Sequence, residues 1–377
     1  MEANDCSQEL AQASHRLGLN LLRALAQEDS GNIFISSFSL ANALAMLFCG
    51  AREETAVEVN HVLEFQDISE DNLTASFDLL LSSLEKSSES YTLECANAAI
   101  VQENFPVRDD YRKVLEESFH AILFQENFAK GMELAVANLN NWVKDKTHGM
   151  IGHLLDSLDP MTVMILLNAV YFKGTWEHQF EKRATYLQRF YNNGDEDNPK
   201  EVNMMHLKEK FNYVEKETYQ ALQLPYKGED IVMLILLPYS KHGLEELANQ
   251  LPSTFVEDLR KEMREVKIKV ALPKFRIEYS KSLKGSLKAL GMRRAFEAGA
   301  NLSGINDCLD LFVSDVLHKA VIEVNEEGSE AAAVTAVMIQ CRMMMMEPEF
   351  TVDHPFLFTI YNTKSNLSLF TGRIVEL

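Results

Sequence analysis

Glu326-Glu327-Gly328-Ser329-Glu330-Ala331-Ala332-Ala333-Val334-Thr335-Ala336 follows directly on an apolar stretch, Ala320–Val324, that reads as a strand. Taken alone, a run of small residues after a strand suits a short Ala-rich surface helix. The continuation speaks against so plain a reading. Val337-Met338-Ile339-Gln340-Cys341-Arg342-Met343-Met344-Met345-Met346 is apolar with one strong cation, and it lies between two strand-like segments. Loops that are merely solvated run over the surface and are not this hydrophobic, and an exposed apolar stretch usually marks a contact. The segment reads as bait held out to a partner.

Around it the chain divides by pattern. Towards the N-terminus, Leu17, Leu21, Leu22 and Leu25 share one helical face, as do Phe77, Leu80, Leu81 and Leu84. Leu134, Leu139, Trp142 and Val143 are read as a third stripe, ended near Gly149. The uncharged run Ser30–Ala51 is long enough to cross a bilayer, but its serines and asparagines favour a buried helix that starts near Ser36–Ser39 and stops at Gly50. From Met161 the pattern changes. Val163–Phe172 is apolar apart from Asn168, and Ile231–Leu237 is a second such run, as expected of strands covered on both faces. Val266, Ile268, Val270 and Leu272 alternate with Lys267, Lys269 and Ala271, the period of a half-exposed strand. Leu311–Val324, Phe356–Tyr361 and Leu367–Ile374 complete a strand-rich second half. Helices first and strands later, without regular βα alternation, indicate an α+β fold with large mixed sheets. No linker or repeat divides the chain, so one domain over residues 1–377 is expected.

Composition excludes several functions. The 377 residues carry 36 Lys plus Arg against 56 Asp plus Glu, a formal charge of −20, with 46% apolar and 24% charged residues. So acidic a surface disfavours nucleic acid and anionic membranes. The basic residues Lys281, Lys284, Lys288, Arg293 and Arg294 read as a solvated face, and heparin is not expected as a partner. The N-terminal stretch shows no basic region followed by an apolar one, so no cleavable signal peptide is read and a cytoplasmic setting is expected, with non-classical secretion left open. Cys6, Cys49, Cys95, Cys308 and Cys341 are scattered and form no CxxC pair, which suggests neither a disulfide framework nor a metal site. Sequons at Asn72, Asn301 and Asn366 matter only on a secretory route. No GxSxG, GxxxxGK[ST], GxGxxG or HExxH motif is present, and His148 and His153 are five apart and read as surface residues. Neither an enzyme nor a cofactor is expected.

Eight stretches in order give the chain a more specific likeness. They are Asn32–Ser39, Leu167–Trp176, Val202–His206, Leu224–Tyr226, Leu302–Ile305, His318–Ala320, Asn325–Ala333 and Asp353–Phe358. In these the sequence resembles the serpins, and among them the ovalbumin-like intracellular branch. The resemblance implies a monomeric protease inhibitor whose reactive-centre loop, with its hinge, occupies residues 326–350. In such proteins a target protease cuts the loop, which then inserts as a new strand of the main sheet.

The residues can be set against that mechanism. A strand entering a packed sheet points alternate side chains inwards. From Ser329 in steps of two these are Ser329, Ala331, Ala333, Thr335, Val337, Ile339 and Cys341, none charged. Glu330, Ala332, Val334, Ala336, Met338 and Gln340 alternate with them, so the hinge carboxylate of Glu330 can stay in water. Val334 stands where the family tends towards Ala. A charge or proline in the inward set would cost several kcal/mol or remove a ladder bond.

Family spacing implies the reactive bond. Seventeen residues counted from Glu326 end at Arg342, and thirteen steps further lies Pro355. Arg342–Met343 is therefore the expected bond, and an arginine there suits a protease whose specificity pocket holds an aspartate. A covalent one-to-one complex with a trypsin-like serine protease is the implied partnership. Cleavage after Met343 by a chymotrypsin- or elastase-like protease is the alternative. By the same likeness Ser36, Ser37, Ser39, Asn168, Trp176 and His318 belong to the region where the sheet opens, with Ser37 in place of a proline many relatives have. Buried core roles fit Asn168, His318 and Trp176 as well. A non-inhibitory serpin (storage protein, chaperone or carrier) or a binding module with a passive loop stays open as a competing reading.

Overall fold

The computed structural model describes residues 3–65, 68–85, 91–307, 310–327 and 348–377. Its helices are α1 (Ala3–Glu28), α2 (Ser37–Gly50), α3 (Glu53–Leu63), α4 (Glu70–Glu85), α5 (Asp109–Ser118), α6 (Phe128–Lys146), α7 (Leu244–Gln250), α8 (Phe255–Glu262) and α9 (Lys284–Ala289). Its strands are β1 (Ile33–Ile35), β2 (Tyr91–Gln102), β3 (Ile122–Glu126), β4 (Met164–Gly174), β5 (Thr185–Phe190), β6 (Lys200–Glu215), β7 (Tyr219–Pro225), β8 (Ile231–Pro238), β9 (Arg264–Pro273), β10 (Phe275–Ser282), β11 (Asp315–Val324), β12 (Glu349–Thr351), β13 (Phe356–Asn362) and β14 (Ser368–Ile374). The architecture is α+β, as the sequence pattern indicates. The chain forms two compact units. One comprises Met1–Phe172, Ile277–Ile322 and Tyr361–Gly372, and the other Lys173–Arg276, Glu323–Ile360 and Arg373–Leu377.

In the first unit a sheet runs in the order β10-β11-β4-β2-β3. β11 lies parallel to β4, in register from Asp315 opposite Ile165 to Ile322 opposite Phe172. β4 is buried along almost its whole length, and its alternation divides it between two cores. Ile165, Leu167, Ala169 and Tyr171 pack with Ala96, Ala98 and Ile100 of β2 against Phe128, Ala135, Leu139 and Val143 of α6. Asn168 therefore points to the opposite face. α2 begins where Ser36, extended at φ −91° and ψ 101°, caps the helix by accepting from the Ser39 amide. At its other end a Cβ on Gly50 would lie 2.2 Å from Ile305 Cγ1, so only glycine allows that approach.

The second unit is built on strands in the order β13-β8-β7-β6-β9-β12, with β5 also on β6; β5–β6, β6–β7, β6–β9 and β7–β8 are antiparallel. β6 and β9 register from Met204 opposite Pro273 to Tyr213 opposite Arg264. The expected alternating strand is β9, and β8 is buried throughout. β12, which follows the apolar loop segment, lies parallel to β9 with Phe350 opposite Val270.

The structure departs from expectation in three places. Leu134 is 66% exposed, because the buried face of α6 runs through Phe128, Ala135, Leu139 and Val143 and Leu134 falls outside it. β2 and β6 are long strands that no simple apolar alternation announces. Residues 311–314 precede β11, which begins at Asp315.

Candidate functional site

Four of the residues singled out from sequence meet in one buried cluster of the first unit. Asn168 and His318 sit opposite each other in the β4–β11 register, 0% and 1% exposed. The Ser36 amide donates to His318 Nε2 at 3.4 Å, which assigns the ring proton to Nδ1. That Nδ1–H then donates to Asn168 Oδ1 at 2.5 Å. Asn168 Nδ2 in turn donates to Ser39 Oγ and, at 2.5 Å, to Asn97 Oδ1. Ser39 Oγ donates to the same Asn97 oxygen at 3.1 Å. Burial lowers the His318 pKa to about 3, so the ring is neutral and the whole network uncharged. Asn97 is the member that sequence reasoning missed.

The side chains of Ser36 and Ser37 tie the start of α2 to β14. Ser36 Oγ donates to the Leu369 carbonyl at 2.9 Å, and Ser37 Oγ lies 3.1 Å from Thr371 Oγ1. A Cβ on Gly18 of α1 would stand 2.1 Å from Ser37 Oγ, so the helix can approach this serine only through a glycine.

The remaining candidates belong to the second unit, where they hold the start of the loop. Trp176 is 3% exposed. It stacks on Tyr226, with ring centroids 4.4 Å apart and planes 10° from parallel, and its indole N–H donates to the Asn325 carbonyl at 2.9 Å. The Phe180 amide donates to the Glu326 carbonyl at 3.1 Å, and Gln179 Nε2 donates to that of Glu327 at 3.0 Å. Lys274 Nζ lies 2.9 Å from Glu326 Oε2, and Lys182 pairs with Glu327. Burial works to raise the Glu326 carboxyl, but the bond from Lys274 and neighbouring donors prevail and its pKa is lowered. Gln179, Phe180, Lys182 and Lys274 carried no signal in the sequence, since each acts through a contact distant along the chain.

The hinge residues Gly328, Ser329, Glu330, Ala331, Ala332, Ala333, Val334 and Thr335 and the bond at Arg342 and Met343 lie outside the described residues. What the described part shows is the frame around them. β11 leads into Glu326 and Glu327, and β12 resumes after the loop. A chain doubling back beside β11 from its end would run antiparallel to it, and on one side its neighbour is β4. Among the described residues no cluster of His, Cys, Asp and Glu could hold a metal ion. No described helix is long and apolar enough to cross a membrane.

A family model described as "Serpin (serine protease inhibitor)" matches residues 12–377. The chain belongs to the serpin family. Iripin-8 of Ixodes ricinus is 40% identical to this serpin over 97% of the chain and 93% of the relative. The leukocyte elastase inhibitor of Bos taurus is 37% identical over 97% and 99%. Among solved structures, uncleaved ovalbumin matches 98% of the chain and 100% of its own, with a TM-score of 0.88 and 29% identity. The likeness to the ovalbumin-like branch thus extends from motif to fold.

Proposed function

We propose that this serpin inhibits trypsin-like serine proteases as a suicide substrate, with Arg342–Met343 as the reactive bond. The protease serine attacks the Arg342 carbonyl carbon. The bond to Met343 breaks, the new Met343 amine takes up the serine's proton, and Arg342 remains as an ester on the enzyme. The freed segment from Gly328 onwards then enters the sheet between β11 and β4, carrying the tethered protease with it. The protease's oxyanion hole is distorted before water cleaves the ester, which withdraws several kcal/mol of transition-state stabilisation. The observation that carries this reading is that β11, the strand that feeds the loop, lies directly against parallel β4 through eight register pairs, while the loop's inward set is uncharged. Both observations favour insertion of the loop beside β11.

The hinge contacts have a matching role. Trp176, Gln179 and the Phe180 amide hold the backbone at Asn325–Glu327, fixing the point from which the loop turns back. Ser36, Ser37, Ser39, Asn168 and His318 hold the sheet closed until cleavage. A cytoplasmic setting suits the reduced thiols of buried Cys6 and Cys49.

Mixing the protein with slightly less than its molar equivalent of trypsin tests the proposal on a denaturing gel. A band at the summed masses, with mass spectrometry placing the cut after Arg342, is the expected result. Clean cleavage with active trypsin left over would instead identify a non-inhibitory member. A second target class is favoured by Met343 together with the relative named as an elastase inhibitor. A cut after Met343 in a covalent complex with an elastase-like protease would replace the trypsin-like assignment.

A further inference from the structure

Asn325 stands where the chain leaves β11, and none of the roles above uses its side chain. β11 ends at Val324, and Asn325, half-buried, is the next residue. Its side-chain nitrogen donates to Glu323 Oε1 at 2.7 Å, an oxygen that Lys173 Nζ approaches to 3.7 Å. Its side-chain oxygen accepts from the Glu327 amide at 3.2 Å. A side-chain acceptor bound to the backbone N–H two residues on closes an Asx turn, which takes the place of a backbone turn. The chain bends at Glu326, inside that ring. The backbone around the turn is held as well, by the Trp176 indole on the Asn325 carbonyl and by the Phe180 amide on that of Glu326. One asparagine thus joins the last residues of β11 to a change of direction directly after them.

We propose that Asn325 is a positioning residue for loop insertion, its Asx turn being the ready-made corner of the hairpin that β11 and the inserting strand form; this rests on the loop-insertion reading given above. A strand doubling back beside β11 has to reverse within the few residues after Val324. Ordering free backbone is the main cost of such a reversal, and a corner already closed lowers it before the protease arrives. The corner also matters for register. Turn geometry sets the register of a hairpin, and a slip of one residue exchanges its two faces. Such a slip would turn Glu330 inwards in place of Ser329 and Ala331. The two ends of the carboxamide have separate tasks. The oxygen closes the turn, whereas the nitrogen tethers Glu323 and supports the native arrangement.

Two substitutions separate these tasks. Asn325→Asp keeps the acceptor and loses the donor, whereas Asn325→Ala loses both. The chain has two tryptophans, so in a Trp142→Phe background Trp176 alone emits, and its contact with the Asn325 carbonyl makes it the reporter. Rapid mixing with saturating trypsin then follows insertion of the cut loop. In Asn325→Ala insertion is expected to slow about fivefold, the rate equivalent of one ordinary hydrogen bond, and the ratio of hydrolysed to trapped ester on a denaturing gel to rise by the same factor. Asn325→Asp is expected to insert at close to the wild-type rate. Its native urea midpoint should nevertheless fall at least as far as that of Asn325→Ala, because its carboxylate faces that of Glu323. An asparagine that only supports the native fold would move insertion in step with stability in both variants, and that result overturns the proposal. Wild-type insertion in Asn325→Ala, with covalent complex still forming, also overturns it and leaves the inhibitory reading intact. If the wild type forms no covalent complex, the inhibitory reading has failed, and the insertion rates alone judge Asn325. Slowing in Ala with recovery in Asp then supports the corner, and a cut loop that never inserts removes it.

Discussion

The buried cluster of Asn168 and His318 and the hinge anchor of Glu326 and Glu327 both hold native geometry, by opposite means. The cluster is buried and neutral, with donors matched to acceptors along a chain from the Ser36 amide to Asn97. The anchor is charged and mostly wet, with Lys274 and Lys182 having 45% and 73% of their side chains exposed. Buried neutral bonds are worth little net but are expensive to leave half made. Exposed ion pairs form and part at small cost in either direction. On the insertion mechanism proposed above, the cluster is the part expected to resist partial opening and the hinge the part expected to let go easily.

The sharpest break in this comparison comes from putting a charge where the interior is neutral. If the loop inserts as proposed, with Thr335 in its inward set, Thr335→Arg should bury a guanidinium beside uncharged strands, at a cost of several kcal/mol. Cleavage by trypsin at Arg342 should proceed as before, but the ester should hydrolyse before insertion completes. On a denaturing gel the covalent band should shrink to a minor product while cleaved inhibitor accumulates. An undiminished covalent band would mean that Thr335 does not enter the sheet.

Next in size is damage to the cluster itself. Asn168→Ala removes the acceptor of His318 Nδ1–H and a donor to Ser39 and Asn97, leaving a buried donor unpaired and a small void. The closed form should lose about 2–4 kcal/mol, read as an earlier native unfolding transition in urea. Asn168→Asp is the informative companion, since a carboxylate there keeps an acceptor for His318 but presents Ser39 and Asn97 with charge in place of an N–H donor.

These two regions also mark what the sequence discloses. Asn168 and His318 stand out because each interrupts an apolar strand, and a polar side chain there must find partners. Ser36 announces the α2 cap by its place before an apolar run. Asn97 announces nothing, since Cys95-Ala96-Asn97-Ala98-Ala99 carries little strand preference and its pairing depends on residues far along the chain. Lys274 is equally silent, one lysine among many until the fold sets it against Glu326. Leu134 misled for the converse reason: it stands five positions from Leu139, about 140° around the helix, so the two cannot share a face. Local periodicity is legible in advance, whereas pairings across the fold have to be seen.

Acid should separate the regions further. The His318 pKa falls to about 3 and that of His15 to about 4, both chiefly through burial. In the unfolded chain each returns to about 6.5. Between those values the unfolded state binds the extra proton, so stability is complete above about pH 6.5 and is lost as pH falls towards 3. The slope for each fully differing histidine is about 1.4 kcal/mol per pH unit. Urea midpoints measured from pH 7 down to pH 4.5 should decline, and His318→Gln should flatten part of the decline. An unchanged slope in that variant would remove His318 from the explanation.

The smallest effect belongs to the hinge. Glu326 is nearly covered while its partner Lys274 is half in water, so Lys274→Met should cost no more than about 1 kcal/mol. Lys182 and Glu327 are more exposed still, and their pairing should matter less. Salt distinguishes the hinge from the cluster without any mutation. At 1 M ionic strength the screening length is about 3 Å, enough to weaken both hinge pairs and irrelevant to bonds between neutral buried groups. Raising salt should therefore shift the rate at which the cleaved loop inserts, followed by Trp176 emission in a Trp142→Phe protein, by less than the Asn168 variants do. It should leave their difference from wild type intact. If salt instead erases that difference, the cluster is not the neutral lock its hydrogen bonds describe, and charge governs opening at both places.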